Sequence, residues 1–180
     1  MLNLLDAIDY NKTHAEAMKL LDDAGIRVII VGIPRRLSSI SISLTMKQIH
    51  QTLSTVTHYI NRMDPYSSYN AKNLTGFLRT VDAIASFPNV LGVLVSEHLI
   101  NNLDSEKCAL VIRAVVRDLK KYMHLRHLSC GQRTLLIGFG GGSYLYDRKV
   151  LDYLSGGDED SCVDFWTVFI CLEDVGCAIG

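Results

Sequence analysis

Apolar positions fall into two kinds of run along the chain. Ile26–Val31 and Val90–Val95 are short, almost wholly apolar and rich in β-branched residues, the pattern of strands covered on both faces. Thr134–Phe139 and Asp164–Leu172 repeat that pattern, and Leu2–Ile8 repeats it more weakly. Between these runs the apolar residues return with a helical period. Thr13 is placed to cap a first helix with Glu16 as its capping-box partner, Ala15, Met18, Leu20 and Leu21 forming the apolar face and Gly25 closing it. A second helix is expected from about Tyr69 to Phe87, with Leu74, Phe77, Leu78, Val81 and Ile84 on one side. A third runs from an Asp104 cap to about Met123 over Leu110, Val111, Ala114, Val115 and Leu119. A fourth spans Ser143 or Tyr144 to Leu154. Asn61–Pro65 and Pro88-Asn89 are breaks.

Strand and helix therefore alternate through about five βα units without a hairpin signal, which predicts an α/β fold with a parallel sheet. Periodicity leaves two architectures open. One is a flavodoxin-like doubly wound sheet; the other is an incomplete (β/α) barrel, whose full form needs roughly 250 residues.

Composition narrows the function more than the fold. With 180 residues, 48% hydrophobic and 21% charged, the chain can bury a core and is not disordered. Its net charge of −1, from 18 basic and 19 acidic residues well interspersed, argues against nucleic acid or anionic lipid as the main partner. No apolar run has the roughly 18 residues of a transmembrane helix. The first residues, MLNLLDAIDY, lack the basic and apolar regions of a signal peptide, and CLEDVGCAIG lacks a lipid-anchor pattern. By these criteria alone a soluble intracellular chain is expected. Cys108, Cys130, Cys162, Cys171 and Cys177 include no CxxC pair, so neither a zinc set nor any other metal site is expected, and the cysteines read as small core residues.

Four features could carry chemistry. Gly138–Gly142 (GFGGG) stands between a strand and a helix, where a phosphate cradle could form, although it matches neither standard glycine-rich pattern. Glu97 ends an apolar strand, at the edge of the sheet where α/β active sites collect, and Glu173 ends the last strand in the same way. Two carboxylates converging to about 5 Å would suit retaining glycoside chemistry; solvated loop carboxylates are the plainer reading. His98 reads as polar rim, and Asp158-Glu159-Asp160 as a solvated turn without the spaced ligands of a calcium loop.

Several segments taken together resemble the fungal β-1,3-glucanosyltransferases, the Gas/Gel cell-wall remodelling family. His14–Lys19 through Gly25-Ile26 resembles HDECMK…DAGIYVI. Ile60-Asn61-Arg62 with Asp64-Pro65, Val81-Asp82-Ala83 and Phe87–Gly92 resembles INRxDP…VDAF…YPNVLGF. Asp152-Tyr153, Gly157–Ser161 and Asp164-Phe165 resemble DYFNCGDEDSRADF, and Asn101-Asn102 and Ala114–Asp118 keep the family's spacing. The likeness covers most of the chain except about 33–59 and 124–132. The 33–59 stretch, rich in Ser and Thr, is expected to be a non-family insertion within an otherwise single catalytic-type unit, and its composition would suit a translated intron.

The resemblance implies a partial (β/α)8 barrel and a retaining transglycosylation without a cofactor. A β-1,3-glucan is cleaved and its new reducing end is passed to a second glucan. It implies Glu97 as acid/base and Glu173 as nucleophile, with Ser96, Asn61 and Phe139 at positions that face substrate. It also implies an extracellular, GPI-anchored location. The chain departs from the pattern at several of these places. Ser96 stands where the family has Asn, and is too short to make the same two-ended contact. Phe139-Gly140 replaces Tyr-Ser, and Ala17 and Gly156 replace two cysteines. An ungapped match sets Leu172 on the nucleophile position, whereas one inserted residue brings Glu173 there. A one-residue slip reverses the face, which a β-bulge could restore. The alternative expectation is accordingly a catalytically inactive remnant or weak glucan-binding fragment, with open sheet edges able to self-associate.

Overall fold

The computed structural model describes residues 2–5, 9–31, 60–97, 99–100, 105–141 and 148–168. The 33–59 stretch, His98 and Glu173 lie outside them. Five strands, β1 (Leu2–Leu5), β2 (Arg27–Val31), β3 (Val90–Glu97), β4 (Leu136–Gly141) and β5 (Phe165–Val168), form one sheet. All four pairings are parallel, and the order is β1-β2-β3-β4-β5. A doubly wound sheet must reverse its order at a switch point; this one never does. The flavodoxin-like alternative is thereby excluded, and the sheet is an arc of a (β/α) barrel.

The two faces of the sheet confirm the single winding. One carries Val28, Ile30, Val93, Val95, Ile137 and Phe139 and packs against the helices α1 (Ala15–Asp23), α3 (Ala71–Ile84), α4 (Cys108–Cys130) and α5 (Arg148–Ser155) in one large apolar cluster. The opposite face holds a small separate cluster of Ile29, Val31 and Leu94 with Phe165 against it, which is the barrel interior. A short turn of helix, α2 (Pro65–Ser68), precedes α3. No described helix is long and apolar enough to cross a membrane.

Local chemistry accounts for most boundaries. Asp64 accepts from Ser67 N–H to start α2, which has Pro65 at its first position, and Asn70 accepts from Asn73 N–H to start α3. The expected Thr13–Glu16 box does not form. His14 is the N-cap of α1 and has no side-chain cap bond, its ring nitrogen bonding the Asp9 carbonyl at 2.8 Å instead. Helix α4 runs seven residues past the expected end at Met123. It stops where Gly131 takes a left-handed backbone (φ 69°) and its N–H bonds the His127 carbonyl. Leu110, expected inside, is exposed; Ile112, Val116 and Met123 complete the buried face.

The glycine run is the clearest correction. Gly138, Gly140 and Gly141 belong to β4 itself, not to a loop. The Phe165 ring lies over Gly138 so closely that a Cβ there would stand 2.4 Å from it. Gly138, with Gly92 of β3, makes room for an aromatic ring on the barrel side, and the described glycines of β4 form strand rather than a phosphate cradle.

Candidate active site at the carboxyl ends of the strands

Parallel strands all end at the same side of the sheet, so the groups that end them meet there without further design. At that side the pairing of β3 with β4 shifts. Leu94 is level with Gly138, but Glu97 is level with Gly140, so three steps on β3 match two on β4. The extra residue is a β-bulge, and bulges re-aim the residues that follow them. Counting by simple alternation from Leu94 would put Glu97 on the helix-bearing face. The bulge brings its backbone into register with Gly140, which shares the barrel-side parity of Gly138. Thr167 is level with Gly140 on the other flank. Glu97, Gly140 and Thr167 thus form one rung across three strands spaced about 4.8 Å apart, with the middle position lacking a side chain.

Two hydroxyls at this end are conspicuous. Ser96, buried beside Glu97, and Thr167 each hold a buried oxygen with no hydrogen-bond partner among the described residues. Such an orphan costs about 1–3 kcal/mol, a penalty that water or a ligand hydroxyl would relieve. Thr167 escaped the reading of the sequence; two-residue alternation from Phe165 was the available signal.

Asn61 sits on the rim at the same end. Its N–H donates to Ser68 Oγ at 2.8 Å and its Oδ1 accepts from Met63 N–H at 3.1 Å. The adjoining residues are fastened to the start of α4: Lys107 Nζ donates to the Met63 carbonyl at 3.3 Å and Cys108 Sγ to that of Arg62 at 3.9 Å. Burial pushes the Cys108 thiol above its ordinary pKa, with the nearby Arg62 and Lys107 charges acting in the other direction. Cys108 is a core residue as expected, whereas Cys130 is exposed.

Phe139 does not join this site. It is part of the large cluster beneath the helices, on the face opposite Gly138 and Gly140, because neighbouring strand residues point to opposite sides. The residues 158–160 are exposed at the other end of the sheet, and their backbone carbonyls rather than their side chains make the turn's contacts. Asp158 O accepts from the amides of Ser161 and Cys162, and Glu159 O accepts from Lys120.

A singly wound parallel β/α arc, with a bulge that sets the backbone of a strand-ending glutamate level with Gly140, defines part of a (β/α) barrel. Comparison with known proteins supplies the family. A glucanosyltransferase family profile of glycoside hydrolases matches residues 42–171, more than half of the chain, and its span begins within the 33–59 stretch. The 1,3-beta-glucanosyltransferase GAS5 of Saccharomyces cerevisiae is 30% identical over 163 residues, covering 89% of this chain and 28% of that protein. The 1,3-beta-glucanosyltransferase gel1 of Aspergillus fumigatus is 28% identical over 161 residues, covering 89% and 30%. Among solved structures, Saccharomyces cerevisiae Gas2p in complex with laminaripentaose superposes with a TM-score of 0.71 at 22% identity, over 93% of this chain and 32% of that one. The chain belongs to the glucanosyltransferase family, and it spans less than a third of the length of these relatives.

Proposed function

We propose that this chain handles β-1,3-glucan in a retaining transglycosylation, with Glu97 as acid/base and Glu173 as nucleophile. Glu173 attacks the anomeric carbon while Glu97 protonates the departing glycosidic oxygen. Glu97 then takes the proton from a hydroxyl of a second glucan as that oxygen displaces the enzyme. Ser96 and Asn61 contribute polar contacts at the rim. The observation that carries the reading is the bulge that brings Glu97 level with Gly140. Further support comes from relatives named 1,3-beta-glucanosyltransferases and from the laminari-oligosaccharides bound to Gas2p. The same reading extends to an extracellular, GPI-anchored setting at the fungal cell wall, and to 33–59 as an insertion in the family framework.

A second reading, an inactive or weakly glucan-binding relative, is favoured by Ser96, whose hydroxyl has no partner among the described residues where the resembling family carries an amide. Incubation with laminari-oligosaccharides separates the two. Transfer should yield both longer and shorter products, and Glu97→Gln should lower the rate by at least about 100-fold. Equal product from the wild type and this variant would sink the first reading. A folded wild type that binds the sugars without turning them over would support the second.

A further inference from the structure

Helix α4 lays two cations, Arg113 and Lys120, along the side that faces the connection between α5 and β5. Seven residues apart, they stand two turns apart on nearly one line. Arg113 donates from Nε and Nη2 to Ser161 Oγ (3.2 and 3.0 Å), from Nη2 to the Gly156 carbonyl (2.9 Å) and from Nη1 to the Tyr153 carbonyl, and it stacks 4.7 Å over the Tyr153 ring. Gly157, at φ 85°, leaves the space for it; a Cβ there would stand 2.2 Å from a guanidinium nitrogen. Lys120 donates to the Glu159 carbonyl at 3.0 Å and to Asp164 Oδ1 at 2.6 Å. Asp164 in turn grips the start of β4 twice. Its Oδ2 accepts from Ile137 N–H and its own N–H donates to the Ile137 carbonyl, both at 2.7 Å.

The next residue, Phe165, begins β5 opposite Gly138. Among the described residues β5 has four members and β4 as its single lateral partner. A strand so short and paired on one side specifies its own register weakly, yet a slip of one residue would move it by about 3.3 Å and invert its faces. We propose that Lys120 and Asp164 are positioning residues that lock the register of β5 against β4. The lock sets which residue of β5 stands level with Gly140 and Glu97 at the strand ends, Thr167 in the observed register. Its link to the reaction rests on the transglycosylase reading above; the register lock itself does not.

The test uses the full chain and two readouts: the Gly138–Phe165 cross-strand contact by NMR, and kcat and KM on laminari-oligosaccharides. Asp164→Ala should abolish or double that contact while β2–β3 contacts persist, and kcat should fall by at least about tenfold with KM little changed. Asp164→Asn, which keeps an oxygen for Ile137 N–H, should recover most of both. An unaltered Gly138–Phe165 contact in Asp164→Ala overturns the lock. A lost contact with unchanged kcat overturns its link to the reaction. Were the wild type to turn nothing over, the transglycosylase reading would fail while the contact still decided the lock. Were Asp164→Ala not to fold, Lys120→Met takes its place. It should speed amide exchange at Ile137 by about tenfold, and unchanged exchange there counts against the proposal.

Discussion

Arg133 ties together three backbone carbonyls, one of which, Phe87 O, also accepts from Val90 N–H. Standing between α4 and β4, it donates to Ala85 O at 3.3 Å and to Phe87 O and Val90 O at 2.7 Å each. Ala85 caps α3, so the guanidinium satisfies the frayed end of that helix and the turn that feeds β3. The planar guanidinium presents Nε and Nη2 to the three acceptors in fixed, separated directions, whereas a lysine ammonium offers its donors from a single point. Arg133→Ala should therefore lower stability by about 1–2 kcal/mol, after allowing for the exposed position of the side chain. Arg133→Lys should recover less than half of that, as read from urea midpoints. A lysine variant equal to the wild type would show that charge alone suffices. Nothing near Arg133 in the sequence announces this role, because its partners lie more than 40 residues away. Phe139 was misread for a related reason. Its resemblance to a family tyrosine suggested substrate, but the sequence GFGGG does not say which of its residues turns outward until the ring of Phe165 is seen over Gly138. Glu97 was legible as a strand end, whereas the bulge that sets its backbone level with Gly140 has no sequence mark.

Helices were legible where one apolar face is continuous and illegible where it thins. In α3, Phe77, Val81 and Ile84 are buried as their spacing predicts. In α4 the apolar stripe fades after Met123, and the last two turns are held by polar links to α3. Tyr122 donates to Asp82 Oδ2 at 2.6 Å, and Asp82 Oδ1 receives Gln132 Nε2 at 3.3 Å with Arg126 Nε at 3.5 Å. Farther up the helix, Tyr69 donates to Asp118 at 2.5 Å and accepts from Arg117 at 2.9 Å. Both phenols are held above their ordinary pKa, Tyr69 chiefly by its hydrogen bond to Asp118 and Tyr122 by burial and then Asp82. The sign follows directly. A phenol whose folded pKa is raised stabilises the fold in full below the unfolded value of about 10. That stability is lost as the pH rises through the raised folded value. The Tyr69→Phe, Tyr122→Phe double variant should accordingly be weaker than the wild type at pH 8, yet lose less stability between pH 8 and 11. Parallel losses for the two proteins, measured by urea unfolding, would mean that these bonds do not couple the helices.

The strand order constrains the whole molecule most. Sequential parallel pairing with every helix on one face requires each crossover to run in the same sense, and such barrels join strand to helix with short loops of about 2–6 residues. Several connections exceed this, those at 6–14, 98–107 and 156–164 having nine or ten residues, and one is far longer. Between Val31, which ends β2, and Pro65, which begins α2, the chain has 33 residues. Ile60, near the end of that span, is buried in the main cluster, and Asn61 is bonded to Ser68. The anchored part of the connection therefore resumes at about residue 60. Removal of 33–59 would leave six residues, Gly32 and Ile60–Asp64, the ordinary length of a βα loop. If the stretch is an insertion, its deletion should leave the fold intact and raise stability by about 1–1.5 kcal/mol through the smaller closure entropy. Any transfer activity should persist, since neither Glu97 nor its rung with Gly140 and Thr167 draws on these residues. Loss of folding on deletion would show that 42–59, where the family match begins, belongs to the framework rather than interrupting it. In that case β2 would be joined to α2 by a framework segment much longer than the fold's other connections, and the Ser/Thr-rich composition would be a property of the family arc rather than of a translated intron.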